Sequence, residues 1–567
     1  MANIVYNILK IKSFNQMSTA NKNWQWIIIT YEVRKNDPPV CDRFEPCCFG
    51  HWVLNQETKM EPGMKKIAVL VLAAGMLCAL SQGASAIDFS AKGRWAYNFS
   101  YGQHGNFTEG GGRTGFSTTE DEFEAAQQVR LQLDAKASEN LSGTVHFEIG
   151  GYNRGMLQYW GASANGGALG ADGTMVKVKN AFIDWAVPQT ALKVRMGIQP
   201  IQLPDFINNS QVLADDAAGI TASYAFNETV GVTAFWTRLF NDNTTSTTNR
   251  YPGYMDNMDA VGLTLPLTFD SVKLTPWGMY AGIGPAINYN NVTNTQITTY
   301  SSTASAGGPR AGLLPLYGGF HKSKLSQYGN AMWAGLPGQV AAFDPFRISW
   351  DVVYGAVQYD DSAMNRAGWL ASLLLEYKLD WSTPGLYGWY TSGDDDNLGN
   401  GSERMPNIHP NNPNDFSEFA FHGDPIVGRD SIVGKSMTGT WGIGVRLKDM
   451  SFVDKLSHTF RINFMGGTND PGVLKKINRA TGVWMAPNDT TVPGREGLYL
   501  TRNDSLVEFG LSTKYKMYDN FTVYVETNYD ALFLDKSATV WGNSKMNGKS
   551  DRSADAWNTA VTFVYQF

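Results

Sequence analysis

Hydrophobic and polar side chains alternate one by one along much of the chain after residue 87. The last twelve residues show it most clearly, since five large apolar side chains share one parity and three polar ones share the other: Trp557, Val561, Phe563, Tyr565 and Phe567 against Asn558, Thr562 and Gln566. Segments 129–134, 145–149, 192–198, 443–447, 460–464 and 507–515 repeat the pattern. Strands of about 9 to 11 residues with one apolar and one wet face build membrane-spanning β-barrels. The pattern therefore predicts an all-β fold, an antiparallel transmembrane barrel.

Connections between the predicted strands come in two lengths that alternate. Short turns such as 138–140, 188–190 and 518–520 separate long segments, which cover residues 102–123, 152–174, 199–217, 239–257, 284–329, 394–435, 467–502 and 534–554. Outer-membrane barrels have short periplasmic turns and long extracellular loops. We count 18 strands; the weakest are 330–342 and 384–393, and without that pair the count is 16. No helical period of useful length and no fixed internal repeat follows Ile87.

The start of the chain contains a targeting pattern. Met64-Lys65-Lys66 precedes an apolar run from 67 to 80, and the small residues Ala84-Ser85-Ala86 follow it. These are the parts of a secretory signal peptide. We expect a signal peptide over 64–86, cleavage after Ala86 and a porin domain over 87–567.

The 63 residues before Met64 do not fit that pattern, because a signal peptide begins a chain. Met60-Glu61 requires the codons ATG-GAR, which place GGAR two codons before the codon of Met64. That is the spacing of a bacterial ribosome-binding site. We expect translation to start at Met64 and residues 1–63 to be a gene-start error, disordered if they are made at all. A real cytosolic extension is the alternative.

Cysteine and charge narrow the function classes. All four cysteines, at 41, 47, 48 and 78, precede the predicted mature chain, which excludes thiol catalysis, cysteine metal sites and disulfides from it. Residues 87–567 carry 37 basic and 46 acidic side chains, a net charge of −9. The chain has no basic patch for nucleic acid. We expect no cofactor, no metal and no enzyme activity.

Three segments and the aromatic end carry a family resemblance. They are Lys179–Pro188, Asn330–Leu336 and Asp344–Ile348, followed by the terminal Phe567. In these the chain resembles the homotrimeric outer-membrane porins of sulfate-reducing delta-proteobacteria over Met64–Phe567, although the extension before Met64 departs from that family. The resemblance implies a homotrimer in outer-membrane lipid that passes small hydrophilic solutes. It also implies that Phe567, with Tyr565 and Phe563, is the signal for the barrel-assembly machinery.

A porin filters by charge and width, so the candidate site residues are charges facing the lumen. The third long segment is the candidate constriction loop and carries Asp205, Asp215 and Asp216. Facing it at inward parity are the candidate basic wall residues Arg130, Lys193, Arg195, Arg347, Arg446, Arg461 and Lys514. Opposed arrays of this kind orient polar solutes and set ion preference. Alternatively the arginines pair with Glu148, Glu376, Glu508 and Glu526 and only keep the lumen wet.

Three other functions compete with a general porin. A substrate-specific channel of 18 strands would need a row of aromatic side chains in the lumen; Tyr524 has inward parity, but no row emerges from the sequence. An outer-membrane hydrolase would use His146 with Thr144 or Ser142 on the same face, but no G-x-S-x-G motif is present. The run Asp394-Asp395-Asp396-Asn397 is expected to be a solvated loop, with calcium binding by its carboxylates the minor alternative.

Overall fold

The computed structural model describes residues 87–104, 107, 121–150, 158–159, 175–207, 210–241, 257–284, 311–315, 327–408, 437–481, 498–542 and 553–567. The predicted upstream region 1–63, signal peptide 64–86 and cleavage residues Ala84 and Ala86 lie outside this part of the chain.

The described residues form one antiparallel sheet of 18 strands. The first nine are β1 Asp88–Gln103, β2 Asp121–Ser138, β3 Leu141–Gly150, β4 Met175–Ala186, β5 Leu192–Gln202, β6 Ala214–Ala225, β7 Gly231–Asn241, β8 Asn257–Thr264 with Leu267–Thr268, and β9 Val272–Leu274 with Trp277–Ile283. The last nine are β10 Gly329–Gly335 with Gly338–Phe343, β11 Phe346–Gln358, β12 Arg366–Tyr377, β13 Thr383–Thr391, β14 Thr440–Val453, β15 Leu456–Gly467, β16 Ser505–Tyr518, β17 Phe521–Phe533 and β18 Ala556–Gln566. A short piece, Gln158–Tyr159, continues the β3 edge along β2.

The sheet closes on itself, because β1 pairs with β2 on one side and with β18 on the other. The register of this closing pair runs from Arg94 opposite Gln566 to Gln103 opposite Trp557. The predicted closed barrel and its 18 strands are confirmed, and the two weakest predicted strands exist as β10 and β13. Short turns lie at one end, the turn end, and long connections at the other, the loop end.

The one-residue alternation separates an apolar outer face from an inner face. On β12, Trp369, Leu373 and Leu375 point outward and are 43%, 45% and 37% exposed, whereas Ser372 and Glu376 point inward and are buried. Successive side chains of a strand point to opposite faces, so the two-residue pattern of the sequence becomes two surfaces. The outer face is apolar from strand to strand, and the inner face surrounds a lumen.

One expectation about the loops is wrong. The segment between β15 and β16 contains a helix, α1 Gly472–Thr481, where no helix was predicted. Val473, Leu474 and Ile477 form its buried face and pack on Tyr499 and Trp541. A ten-residue helix with three apolar positions gives a weak period in the sequence, and distant loop residues complete its core. Among the described residues, no helix is long and apolar enough to cross a bilayer.

Candidate functional site: the barrel lumen

The third loop-end connection folds into the lumen. We call it L3, residues 203–213, of which 203–207 and 210–213 are described. Leu203 N donates to Leu213 O at 3.1 Å across the base of the loop. Leu203, Val212 and Leu213 are almost completely buried. L3 is therefore packed against other parts of the barrel and does not project away from it.

Asp205 of L3 reaches the barrel wall at β11, five strands beyond β6, the strand that follows the loop. Its carboxyl group interacts with the carboxyl group of Asp351 on β11. Asp205 Oδ1 also accepts from Ile207 N at 2.7 Å, which fixes the turn that presents it. Asp351 is 2% exposed. Asp205 lies between β5 and β6, and its interaction with Asp351 was not predicted.

The predicted loop position of Asp215 and Asp216 is wrong, because both lie in β6 and pair with Ile201 and Pro200 of β5. The predicted loop 199–217 is therefore shorter, since its ends continue the neighbouring strands. Asp216 forms an ion pair with Lys179 and accepts from Asn180 Nδ2 at 2.6 Å. Asp215 is exposed. Neither side chain lies in the segment that enters the lumen.

One side of the lumen is filled by what we call the apolar plug. Inward-facing aromatic residues of the wall pack with L3 and with residues of other loops in one buried cluster; its main members are Phe235, Trp277, Trp333, Tyr387 and Trp389 of the wall, and Phe107, Leu203, Ile207, Val212, Leu213, Leu313, Met405, Ile408 and Met437 of the loops. Sequence analysis missed this row of lumen aromatics because both faces of these strands are apolar, so alternation disappears. The continuous apolar run 386–390 was the available signal.

Polar contacts hold the loops of the plug in place. Arg366 at the start of β12 is 1% exposed and donates to three backbone carbonyl groups, those of Leu314, Arg404 and Met405, at 2.9 to 3.1 Å. Trp333 Nε1 donates to Pro406 O at 2.8 Å. Buried donors with satisfied partners fix one geometry, since a broken contact leaves a desolvated group. The plug is thus tied to the wall by hydrogen bonds as well as packing.

The other side of the lumen, formed by β1 to β5 and closed by β18, carries charges and amides; we call it the polar wall. Arg130 Nε donates to Glu148 Oε2 at 2.6 Å, and Arg195 makes two bonds of 2.7 and 2.9 Å to Asp184. Further side-chain bonds join neighbouring strands, namely Arg94 to Gln128, Asn98 to Thr562, Thr144 to Asp134 and His146 to Asn180. Pairing of this kind keeps the wall hydrated and rigid.

A buried carboxylate between two arginines stands near the turn end. Glu376 of β12 accepts from Arg446 Nη2 of β14 at 2.7 Å and from Arg347 Nε of β11 at 2.7 Å. Glu376 and Arg446 are 3% and 2% exposed, whereas about half of the Arg347 side chain is accessible. Arg446 also lies over the ring of Tyr387 at 5.9 Å.

The predicted basic wall residues therefore divide into groups. Arg130, Arg195, Arg347 and Arg446 form ion pairs, and the predicted pairing with Glu148 and Glu376 is confirmed. Arg461 is buried beside Arg446 in register, and Lys193 and Lys514 are exposed. Glu508 accepts from Asn463 Nδ2 at 3.4 Å, and Glu526 is buried. The structure does not bring the whole set to one height, because Lys193 and Arg347 lie within two residues of a turn-end connection.

The expectation that 394–397 is a solvated loop is wrong for its first residue. Asp394 is 1% exposed, accepts from Ser402 Oγ and from Tyr499 OH at 2.9 Å, and joins two loop-end connections. Burial raises the pKa of Asp394, while Arg404 acts in the opposite direction. Within the described part of the chain, no group of three or more His, Cys, Asp or Glu side chains could hold a metal ion.

The candidate catalytic residues His146 and Thr144 form hydrogen bonds with other side chains and not with each other. His146 Nδ1 lies 3.2 Å from Asn180 Oδ1, and Thr144 Oγ1 donates to Asp134 Oδ1 at 2.7 Å. A nucleophile and its base should share a hydrogen bond. Thr144 instead donates its hydroxyl hydrogen bond to the Asp134 carboxylate and not to His146, which argues against the hydrolase alternative.

The aromatic C-terminus lies at the seam of the barrel. Phe567 N donates to Gly93 O at 3.1 Å, and Gly93 N donates back to Phe567 O at 3.0 Å. Its ring lies 5.2 Å from that of Trp95, and Tyr565 and Phe563 point outward beside it. The position leaves the Phe567 ring 52% exposed on the outer face.

Comparison with known proteins gives structural neighbours only. No protein-family model matches the sequence, and a search of curated proteins finds no match. Solved structures similar to this chain include Pseudomonas aeruginosa OccK11 (OpdR), with 11% identity, a TM-score of 0.43 and coverage of 84% of this chain and 96% of that one. OpdQ of the same organism has 10% identity, a TM-score of 0.44 and coverage of 85% of this chain and 98% of that one. OccK1 (OpdK) has 10% identity, a TM-score of 0.45 and coverage of 84% of this chain and 98% of that one. Similarity at this level assigns no function.

Proposed function

We propose that this protein is an outer-membrane channel through which small hydrophilic solutes and ions diffuse passively. The observation that carries the proposal is the closed 18-strand barrel with an apolar outer face and charged groups inside. Hydrocarbon tolerates only structures whose backbone hydrogen bonds are satisfied internally, and a closed barrel meets that condition. The turn end faces the periplasm and the loop end the exterior.

The apolar plug favours the substrate-specific form of this function. L3 and the inward aromatic side chains reduce the open lumen to the side of the polar wall. A narrow passage with aromatic surface on one side and fixed charges on the other selects solutes by shape as well as charge. The proposal includes no catalytic activity and no cofactor.

Biogenesis and assembly belong to the same proposal. The signal peptide 64–86 directs export and is cleaved after Ala86, residues 1–63 are not made, and the aromatic C-terminus ending in Phe567 is read by the barrel-assembly machinery. The resemblance to porins of sulfate-reducing delta-proteobacteria supports a homotrimer. N-terminal sequencing of the outer-membrane protein tests the cleavage site, and cross-linking in the membrane tests the trimer.

Single-channel recording in planar bilayers tests the function itself. Purified protein should give discrete conductance steps, in groups of three if it is trimeric. The reversal potential under a salt gradient gives the ion preference of the lumen. Inserted, correctly folded protein that gives no steps would contradict the proposal, and steps unaffected by added solutes of any kind would contradict the substrate-specific form.

A further inference from the structure

L3 is carried by a two-stranded stem that has left its neighbours in the barrel wall. We define the stem as residues 199–202 of β5 and 214–217 of β6. The two strands pair with each other along the whole stem. In the described part of the chain, however, β5 pairs with β4 only as far as Ile198, and β6 pairs with β7 only as far as Ala218. Each strand of the stem is therefore paired with its stem partner but not with the adjoining wall strand.

Two glycines mark the place where the stem leaves the wall. Gly197 of β5 lies opposite Gly219 of β6, and Gly197 has a positive φ of 129°. A β-carbon at Gly197 would collide with the carbonyl oxygen of Ala181 on β4, and one at Gly219 with that of Trp236 on β7. Backbones can approach this closely only where a side chain is absent. The bend is therefore encoded in the sequence on both strands of the hairpin.

The bend leaves one end of β4 without backbone pairing to β5. β4 pairs with β3 over nearly its whole length, but with β5 only from Ala181 onward, so residues 175–180 face the stem without a ladder. Side chains bridge this gap. Asp216 of the stem forms an ion pair with Lys179 and accepts from Asn180 Nδ2 at 2.6 Å. The contact joins β6 to β4 past the intervening strand β5.

Asn180 connects this contact to the polar wall. Its Oδ1 lies 3.2 Å from His146 Nδ1 on β3. Asn180 is 4% exposed, and the side chains of Lys179 and Asp216 are 28% and 17% exposed. Hydrogen bonds to charged groups are stronger than neutral ones, and partial burial strengthens them further. The bonds of Asp216 are thus well placed to fix a geometry.

Two further stem residues direct their contacts elsewhere. Gln199 Nε2 donates to Gly219 O at 2.9 Å, and Gln199 Oε1 accepts from Thr221 Oγ1 at 3.0 Å, both within the hairpin. Ile201 packs in the apolar plug. Apolar packing is not directional, so it retains the stem without setting its distance from β4.

We propose that Asp216 is a positioning residue of the channel. Bonded to Lys179 and Asn180, it holds the stem against β4 and thereby fixes the width of the passage along the polar wall. The effect on the passage rests on the proposed channel function, whereas the attachment of the stem to β4 does not.

Hydrogen exchange of the intact protein in lipid vesicles tests the attachment without any need for conduction. Asp216→Asn keeps the shape of the side chain but removes the charge that Lys179 binds. Peptides covering the stem should exchange at least about tenfold faster in this variant, as expected from the loss of a hydrogen bond between charged groups. Lys179→Met should give the same change. Either variant suffices if the other fails to fold, as judged by circular dichroism.

Two control variants separate the attachment from a general loss of structure. Asp216→Glu keeps the charge and should exchange as wild type does. Asp259→Asn breaks an ion pair with Arg238 that has bonds of 2.8 and 2.9 Å, but β7 and β8 are paired by backbone at that point, so exchange of the stem should not change. Wild-type exchange of the stem in both Asp216→Asn and Lys179→Met would overturn the proposal, and so would equal acceleration in Asp216→Glu.

Single-channel current gives the second readout. Each wild-type channel should have one open level, and so should Asp216→Glu. Asp216→Asn should alternate between open levels, because the distance between the stem and β4 is no longer fixed. A single steady level in Asp216→Asn would overturn the effect on the passage. Protein without conductance would refute the channel alone, because exchange still decides whether Asp216 holds the stem.

Discussion

The ion triad of Glu376 makes a quantitative prediction. Glu376→Gln keeps the size of the side chain but removes the negative charge between Arg446, which is buried, and Arg347. The amide nitrogen of glutamine is a donor, so it faces a guanidinium group that is also a donor. Removing one member of a buried ion pair costs about 3–5 kcal/mol, because the other charge remains desolvated. We expect a loss of that size in the free energy of unfolding.

The comparison variants separate charge from packing. Arg347→Gln should cost at most about 1 kcal/mol, because half of that side chain is accessible to water. The double variant Glu376→Met with Arg446→Met should lose less than Glu376→Gln, since no buried charge is left without a partner and Arg347 reaches water. Urea unfolding in lipid vesicles, followed by tryptophan fluorescence, measures all three. A cost for Glu376→Gln below that of Arg347→Gln would refute the reasoning.

Three further predictions concern the plug and its loops. Gly335→Ala places a β-carbon in the ring of Trp277. The variant should lose about 1–3 kcal/mol of unfolding free energy, measured by urea titration. Equal stability of variant and wild type would contradict tight packing at this position. Trp333→Phe loses the hydrogen bond to Pro406 O and should lower the free energy of unfolding by about 1–3 kcal/mol. Relative to wild type, hydrogen exchange should become faster in residues 401–408 than in β16. An equal change in both segments would contradict a local role of the bond. Burial raises the pKa of Asp394 above its ordinary value of 3.8, so the protonated acid is favoured by folding; its contribution to stability is full below that value and lost as pH rises through the raised pKa. Asp394→Asn should remove this decline from urea midpoints taken between pH 3 and 8, and an unchanged slope would contradict it.

The strands could be predicted because each carries its own evidence. In β18 the side chains alternate between lipid-soluble and polar, and no other part of the chain is needed to see it. The same holds for β10 and β13, although glycine and aromatic residues weaken their pattern. Strand number follows from counting such segments, and the sequence therefore predicts 18.

The site was predictable only where the local pattern decides it. The inward direction of Arg130 and Arg446 follows from parity, but their pairing with Glu148 and Glu376 depends on register between strands. Asp394 was misjudged because its partner Tyr499 is 105 residues away in the chain.

The ends of L3 were misplaced because β5 and β6 continue beyond the polar residues that suggested a loop. The contact of Asp205 with Asp351 joins residues that no periodicity relates. Sequence patterns define the wall of the barrel, whereas long-range contacts define what fills it.

The seam between β1 and β18 has a consequence for the order in which the protein can be built. Asn98 and Thr562, hydrogen-bonded across it, are 464 residues apart, and ten residue pairs join the two strands. A ribosome makes β1 before β18, so the outer edge of β1 stays unpaired until β18 exists. Closure is a single late event, with the largest loop entropy that this chain can incur. A polypeptide that stalls or is cleaved before β18 is therefore an open sheet with two unpaired edges. Recognition of β18 by the cell thus selects chains in which every earlier strand has been made.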